Sequence, residues 1–238
     1  MVHHYFYSMP PLRRINWKKP VLAVGCVSTV SGLQLLTKHQ PRADLIELRY
    51  DTLHSAGIGP DEVIRHLSKR QNPVLLTLRT KREGGSHSWK STERILLFEQ
   101  LIPHVEAVDI ELQNLHLLQP VLKMARTRNK GIILSAHSVH RKLTLGKALR
   151  WISLFRKHRV NAYKISALAK TRQDLAVQAR LLLDFPKLRL GIMAMGPMAS
   201  LSRQVLPLLG SKLVYGYLDF PAAKNQPSLR AVASHLER

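Results

Sequence analysis

Residues 131–166, GIILSAHSVHRKLTLGKALRWISLFRKHRVNAYKIS, decide the fold of this chain. The runs GIILSAH (Gly131 to His137) and NAYKIS (Asn161 to Ser166) have the length and apolar composition of buried strands. Between them, Thr144 can begin a helix that carries apolar residues at helical spacing through Phe155. Strands that are apolar on both faces and are separated by a helix are typical of a parallel sheet, so this stretch predicts a βαβ unit.

The same alternation of strand and helix extends over most of the chain. Six further runs have strand composition: VLAVGCV (Val21 to Val27), DLIELRY (Asp44 to Tyr50), PVLLTLR (Pro73 to Arg79), AVDIEL (Ala107 to Leu112), LRLGIMAM (Leu188 to Met195) and KLVYGYL (Lys212 to Leu218). Helical patterns lie between them, among them STERILLFEQLI, which Ser91 or Thr92 can cap, and the segments Leu115 to Arg128, Lys170 to Asp184, Ala199 to Leu209 and Ser228 to Leu236.

Eight βα units predict an α/β fold with a single domain, a closed (β/α)₈ TIM barrel. We expect residues 21–238 to form this catalytic domain and residues 1–20 to be an irregular N-terminal lead-in. A doubly wound sheet is the alternative. It is disfavoured because GCVSTVSG (Gly25 to Gly32), after the first strand, is not the glycine-rich G-x-G-x-x-G loop of that fold.

The composition bounds the partners and the compartment. The 238 residues contain 37 Lys plus Arg against 15 Asp plus Glu, a net charge of +22 that attracts polyanions. Nucleic acid stays a possible partner, but the basic residues are spread along the chain, which favours a small anionic substrate. Because the chain has no apolar run of membrane-span length, no signal-peptide pattern and one cysteine, Cys26, we expect no membrane association and a cytoplasmic location.

Polar side chains occur at the strand ends where a TIM barrel builds its active site. Glu47 and Arg49 are two residues apart at the end of the second strand, so they share a face and are expected to form an ion pair. Comparable groups end or follow other strands: Arg79 and Glu83, Asp109 and Glu111, His137, and Met193 with Met195. Each has an ordinary structural explanation, but their occurrence on so many strand ends together favours a shared site.

Lys164 is the least usual of these residues because it lies inside the short apolar run NAYKIS. Burial disfavours an ammonium ion, so we expect this amine to give up its proton more readily than a surface lysine does. A neutral amine can attack a ketone and form a Schiff base, which then accepts electrons from a neighbouring carbanion. The alternative is a lysine at a strand end that reaches water or pairs with a carboxylate.

A set of motifs in this sequence resembles type I 3-dehydroquinate dehydratase. In chain order they are ELR (Glu47 to Arg49), LRTKREGG (Leu78 to Gly85), DIEL (Asp109 to Leu112), SAHS (Ser135 to Ser138), YKIS (Tyr163 to Ser166) and MG with SR (Met195, Gly196, Ser202, Arg203). The resemblance extends from about Val21 to the C-terminus, and it implies a (β/α)₈ enzyme of the shikimate pathway. Such an enzyme removes water from 3-dehydroquinate to give 3-dehydroshikimate without a metal or organic cofactor, and a homodimer is one expected assembly.

The resemblance also implies roles for individual residues. Lys164 corresponds to the imine-forming lysine, His137 to the general acid/base, and Glu83 and Glu111 to carboxylates near that histidine. The substrate-binding positions that match are Glu47, Arg49, Arg79, Arg203, Gln226, Met193, Met195, Tyr215 and Ala222. Ala222 marks a departure, because the family carries a serine there, in a Ser-Ala-Pro-Gly-Gln run that reads Ala-Ala-Lys-Asn-Gln here.

Two other function classes stay open on the sequence. A class I aldolase shares the barrel and the Schiff-base lysine, but it would need a phosphate site around the last two strands. A basic nucleic-acid-binding module, or a barrel that has lost activity and serves as a scaffold, would explain the charge without catalysis.

Overall fold

The computed structural model describes residues 13–38 and 42–236, and in these residues eight parallel strands surround a common axis. The strands are β1 (Leu22–Val27), β2 (Leu45–Arg49), β3 (Val74–Thr77), β4 (Ala107–Glu111), β5 (Gly131–Lys142), β6 (Ala162–Leu168), β7 (Leu190–Met195) and β8 (Leu213–Tyr217). Neighbours in the sheet follow the order β7-β6-β5-β4-β3-β2-β1-β8, so each strand from β2 to β7 lies beside its predecessor in the chain. The predicted TIM barrel is confirmed, and each of the eight predicted runs overlaps a strand, although β5 and β6 extend past the predicted ends to Lys142 and Leu168.

Helices cover the outside of the barrel. They are α1 (Val30–Lys38), α2 (Tyr50–Ser55), α3 (Pro60–Leu67), α4 (Ser91–Leu101), α5 (Gln119–Thr127), α6 (Leu145–Phe155), α7 (Arg172–Asp184), α8 (Ala199–Leu208) and α9 (Leu229–Leu236). The largest apolar cluster joins their inner faces to the outward residues of the strands, and it includes Phe98 of α4, Leu76 of β3 and Ile110 of β4. Burial of this surface is the main source of stability for the domain.

Two of the predicted helix starts were displaced. We expected Ser91 or Thr92 to cap α4, but Lys90 holds the cap position and its backbone N–H donates to the Glu93 carboxylate. The helix predicted to start at Leu115 starts four residues later, because α5 begins at Gln119 with a proline in its first turn. Thr144 does cap α6, as expected, by accepting a hydrogen bond from the Lys147 backbone N–H.

The inward faces of β2, β4, β5 and β6 change from apolar to polar along the strand, and this change positions the site. Inward residues near the amino ends are apolar: Leu45, Leu75, Ala107, Ile133, Ala162 and Leu213 form one cluster. Two and four residues later the inward side chains are polar: Glu47 and Arg49, Asp109 and Glu111, Ser135 and His137, Lys164 and Ser166. Because side chains alternate with a period of two, the inside of the barrel is filled by an apolar plug at the amino ends of the strands. The polar side chains of the site lie at the carboxyl ends.

The barrel is closed by side chains where β7 and β8 meet. One backbone bond joins the start of the two strands, from Lys212 N–H to the Leu190 carbonyl. The Ser211 hydroxyl bridges to the backbone of Ile192, and Arg203 donates to the carbonyls of Ala194 on β7 and Tyr215 on β8. Arg203 therefore holds this seam together at the polar end of the barrel.

The lead-in is described from residue 13 onward. Residues 13–20 form turns without a helix or strand, and Trp17 packs against the apolar plug. A side chain at Gly131 would meet the Trp17 ring at 2.5 Å, so this glycine makes room for the indole. Residues 1–12 of the predicted lead-in lie outside the described residues. Within the part of the chain that the structure describes, no helix is long and apolar enough to cross a membrane.

Candidate active site

A cavity of about 380 Å³ opens at the carboxyl ends of the strands. Its wall contains each residue predicted to be catalytic or to bind substrate: Lys164, His137, Glu83, Glu47, Arg49, Arg79, Arg203, Gln226, Met193, Met195, Tyr215 and Ala222. Cys26, Val139, Ser166 and Lys224 also line it. The volume falls in the range of small-molecule sites, so the predicted residues share one site large enough for a ring-sized substrate.

The amine of Lys164 lies at the base of this cavity and is 4% exposed. Its Nζ is 2.9 Å from Glu47 Oε1 and 3.5 Å from Asp109 Oδ2. The ring of Tyr215 lies 4.0 Å away at its centroid. The amine is buried, as the sequence predicts, but its neighbours are two carboxylates and an aromatic face rather than nonpolar groups. These surroundings stabilise a cation at the Nζ position.

The imidazole of His137 is on the neighbouring strand. In the β5–β6 register Ser135 lies beside Lys164 and His137 lies beside Ser166. The imidazole is therefore two residues nearer the carboxyl end of its strand than the amine is, and both face the same cavity.

The Glu83 carboxylate pairs with His137 at the Nδ1 side of the imidazole. Its Oε2 is 2.7 Å from His137 Nδ1, and both side chains are buried. Burial and the charges of Arg79 and Lys164 lower the pKa of His137 well below 6.5. Burial and the negative charge of Glu111 raise the pKa of Glu83 to about 8. At neutral pH the imidazole is therefore neutral and can accept a proton, while the carboxyl group of Glu83 loses its own proton as the pH rises through about 8.

The ion pair expected between Glu47 and Arg49 is not formed. Arg49 instead makes two hydrogen bonds to the Asp51 carboxylate, at 2.9 and 2.8 Å, while Glu47 pairs with Lys164. Burial alone would raise the pKa of Glu47, but the neighbouring cations, Lys164 first, lower it to about 2. Glu47 therefore remains ionised, and Arg49 is fixed by Asp51, which is not one of the predicted site residues.

Arg79 links the carboxylates of the site. Its guanidinium contacts Asp109 at 2.9 Å and Glu111 at 3.4 Å, and it donates to the Ser135 hydroxyl at 3.0 Å. Asp109 also accepts from Ser135, and it lies next to Lys164. Glu111 contacts Arg79, and Arg79 Nη1 lies 3.8 Å from Oε2 of Glu83, the partner of His137. Glu111 does not line the cavity, so it supports the site from outside.

We expect Glu111→Gln to lower the free energy of unfolding by about 3–5 kcal/mol. Glu111 Oε2 is 2.9 Å from Arg94 Nη2, and Glu111 Oε1 accepts from the backbone and hydroxyl of Thr80. Arg94 is buried and has no other carboxylate within 4 Å among the described residues, so the substitution leaves its charge without a counter-ion. Urea denaturation measures the effect.

Glu99→Gln is the matched control for this variant. Glu99 is exposed on α4, so its loss should change the unfolding free energy by less than about 0.5 kcal/mol. Equal stability of the two variants would show that the carboxylate of Glu111 does not hold Arg94.

Arg203 is a buried guanidinium without an acidic partner. Its Nε and Nη1 donate to backbone carbonyls, and no carboxylate of the described residues lies within salt-bridge distance. Burial lowers the pKa of Arg203 to about 10, so the group stays charged at neutral pH. An unpaired charge in a cavity wall attracts an anionic ligand.

Gln226 closes the other side of the cavity. Its Oε1 accepts from the Ala222 backbone N–H at 2.8 Å, and its Nε2 is 3.3 Å from Cys26 Sγ. Cys26 is buried, as the sequence predicts, but it also contacts Glu47 and lines the cavity. Burial and the charge of Glu47 raise the pKa of its thiol far above the ordinary value, so Cys26 stays protonated.

Comparison with known proteins shows the family. The sequence model of type I 3-dehydroquinase matches residues 24–237. The chain belongs to the type I 3-dehydroquinase family. It is similar to the 3-dehydroquinate dehydratase of Methanocella arvoryzae, with 31% identity over 77% of this chain and 82% of that protein. The enzyme of that name from Dehalococcoides mccartyi is 31% identical over 82% of this chain and 85% of its own length.

Solved structures of the family share the architecture of this chain. The 3-dehydroquinate dehydratase of Geobacillus kaustophilus superposes with a TM-score of 0.81 at 19% identity, covering 91% of this chain and 90% of that one. The type I 3-dehydroquinate dehydratase of Clostridium difficile gives a TM-score of 0.80 at 19% identity, over 91% of each chain. At this identity the superposition shows the shared barrel.

Two buried residues that hold the site together are not among the residues predicted from sequence. Asp51, two positions after Arg49, binds that arginine and also accepts from the Ser86 backbone, which ties β2 to the loop after β3. Ser135, two positions before His137, lies on the same inward face and donates to Asp109. The period of two could have drawn attention to Ser135. Asp51 follows the strand in a helix, so no strand pattern marks it.

Proposed function

We propose that this protein is a 3-dehydroquinate dehydratase, a hydro-lyase that converts 3-dehydroquinate to 3-dehydroshikimate and water through a Schiff base on Lys164. The observation that carries the proposal is a buried amine beside two carboxylates, one strand away from a histidine paired with a carboxylate. Membership of the type I 3-dehydroquinase family supports the choice of reaction. Residues 21–238 are the proposed catalytic domain.

The first step is capture of the ketone. The neutral amine of Lys164 attacks the carbonyl carbon to give a carbinolamine, which loses its oxygen as water and becomes a protonated imine. The new cation occupies the place of the ammonium ion, next to Glu47 and Asp109. Because these carboxylates stabilise positive charge there, they favour the protonated imine that the next step needs.

The second step is elimination. The neutral imidazole of His137 removes a proton from the carbon next to the imine, and the released electrons move onto nitrogen to form an enamine. The enamine electrons then expel the β-hydroxyl group, which takes the proton back from the imidazolium and leaves as water on the same side of the ring. A second water hydrolyses the imine, which releases the conjugated enone and restores the amine, so one water is lost overall.

Arg203 is the proposed partner of the substrate carboxylate. Its Nε and Nη1 are held by three backbone carbonyls, so the guanidinium is fixed before substrate binds. Its Nη2 donates to no acceptor among the described residues and is available to an anion. Glu47, Arg49, Arg79 and Gln226 are the proposed polar contacts of the substrate, with Met193, Met195 and Tyr215 as apolar walls.

We expect Ala222→Ser to lower KM by about two- to tenfold with kcat unchanged, because one neutral hydrogen bond contributes about 0.5–1.5 kcal/mol. Ala222 lines the cavity next to Gln226, at the position where family members carry a serine. Steady-state kinetics with 3-dehydroquinate measure the effect. Ala223→Ser, which adds a hydroxyl one residue further along the same wall, is the control. An unchanged KM in Ala222→Ser would contradict the expectation and mean that the serine hydroxyl is not needed for substrate binding here.

The proposal is tested by incubating the protein with 3-dehydroquinate and following the ultraviolet absorbance of the conjugated enone. A phosphorylated aldolase substrate is assayed in parallel, because a class I aldolase would use the same lysine. Retention on immobilised DNA or RNA, measured over a range of salt, tests the nucleic-acid alternative. Salt-sensitive retention without turnover of dehydroquinate would overturn the proposal.

A further inference from the structure

Two imidazoles and a carboxylate meet outside the cavity, in a cluster formed by His54, His87 and Glu93. His54 is on α2, His87 is in the loop after β3, and Glu93 is in the first turn of α4. Glu93 Oε1 is 3.8 Å from His54 Nε2 and 3.9 Å from His87 Nε2. One donor atom from each of the three side chains lies within 4.8 Å of the other two.

The surroundings orient these donors. The Trp89 ring packs against both imidazoles, with centroid distances of 5.1 Å to His54 and 4.4 Å to His87. The Trp89 indole N–H donates to the Arg79 carbonyl, which fixes the ring to the end of the barrel. Glu93 Oε2 accepts from the Lys90 backbone N–H, so this carboxylate presents its other oxygen to the histidines. Oriented ligands of this kind are typical of metal sites.

We propose that His54, His87 and Glu93 bind one Zn²⁺ ion. Two imidazoles and a carboxylate are a ligand set that zinc uses, with a fourth position for water. Zinc–ligand bonds of about 2.0–2.2 Å in a tetrahedron place ligand atoms roughly 3.3–3.5 Å apart. The observed 3.8 and 3.9 Å to Glu93 need a contraction of a few tenths of an ångström, and the two histidines, whose ligand atoms lie within 4.8 Å of each other, need to approach by up to about 1.5 Å. The three side chains are 30–37% exposed and have room to make it.

A bound ion would join three segments of the polar end of the barrel. The loop between β3 and α4 carries His87, and it also carries Glu83, the partner of His137. That loop is already attached to β3 and β4 through Trp89 and Thr80. Zinc would add a link to α2 and hold the loop more firmly, which raises stability by mass action because the unfolded chain lacks the site. The site is separate from the proposed reaction, and none of its three ligands lines the cavity.

The test is a zinc titration of tag-free protein against a chromophoric chelator, with the wild type compared with His54→Gln, His87→Gln and Glu93→Gln. We expect one high-affinity site in the wild type and an affinity at least about 100-fold lower in each variant. We also expect zinc to raise the Tm of the wild type but not that of the variants. Co²⁺ should give the visible absorption of a tetrahedral or five-coordinate site.

His116→Gln is the matched control, since His116 is an exposed histidine outside the cluster and its loss should leave the high-affinity site intact. Zinc bound with equal affinity by the wild type and the cluster variants would mean that other histidines take the ion. A wild type that competes no better than His87→Gln would likewise overturn the proposal. Folding of each variant is checked by circular dichroism without metal.

Discussion

Lys164→Ala is expected to lower kcat for dehydration of 3-dehydroquinate by about 10,000-fold or more, the scale on which loss of a covalent nucleophile reduces turnover. Without the amine the ketone cannot become an imine, and removal of the adjacent proton then produces a carbanion that no cationic nitrogen stabilises. The remaining groups, including His137 and Arg203, can still bind substrate. The rate of enone formation, followed by ultraviolet absorbance, measures the loss.

The alanine also removes a cation from between Glu47 and Asp109, which lowers stability as well as activity. Lys164→Arg separates the two effects, because a guanidinium keeps the charge but does not form an imine at neutral pH. We expect it to fold and to be as inactive as the alanine variant. Lys170→Ala is the control and should keep full activity, because Lys170 is exposed and lies two residues after the end of β6. A folded Lys164→Arg with a tenth of the wild-type kcat would rule out the covalent route.

His137→Gln is expected to lower kcat by about 100- to 10,000-fold, the range for loss of a general acid/base. An amide can keep the hydrogen bond to Glu83 but cannot accept the substrate proton. The pH dependence adds a second readout. In the wild type, kcat/KM should rise as the pH rises through about 8, where Glu83 loses its proton. An ionised Glu83 accepts from Nδ1–H of the imidazole and leaves Nε2 free to act as the base.

His137→Gln should lack this rise, because no base is left for Glu83 to orient. His140→Gln, at an exposed position on the same strand, is the control and should keep both the rate and the pH profile of the wild type. A kcat/KM that falls between pH 7 and 9 in the wild type would mean that the protonated form of the pair is the active one.

The fold is largely predictable from sequence because its signals are local. The apolar run Ile132 to Leu134 predicts a buried strand without any knowledge of the neighbouring strands. Likewise, Thr144 caps α6 with its own hydroxyl group. The errors occur where two local signals compete. At α4 the Lys90 backbone, with Glu93, takes the cap position ahead of Ser91. At α5 a 3₁₀ turn over Leu112–Asn114 delays the helix.

The composition of the site is also predictable, but its pairing is not. Period-two alternation brings Glu47, Arg49, His137 and Lys164 to the inward face of the barrel, and all four line the cavity. Which carboxylate takes which cation depends on distances between strands. Lys164 on β6 reaches across the barrel to Glu47 on β2, a pairing over 117 residues that no local pattern records. Arg49 was thus assigned to the wrong acid.

Borohydride reduction in the presence of 3-dehydroquinate, followed by peptide mass spectrometry, tests the central claim most directly. Reduction converts the imine to a stable secondary amine, so we expect a covalent adduct on the peptide that contains Lys164, and no adduct when substrate or borohydride is omitted. Protein that forms the enone from dehydroquinate but keeps its unmodified mass after borohydride treatment would contradict the Schiff-base mechanism.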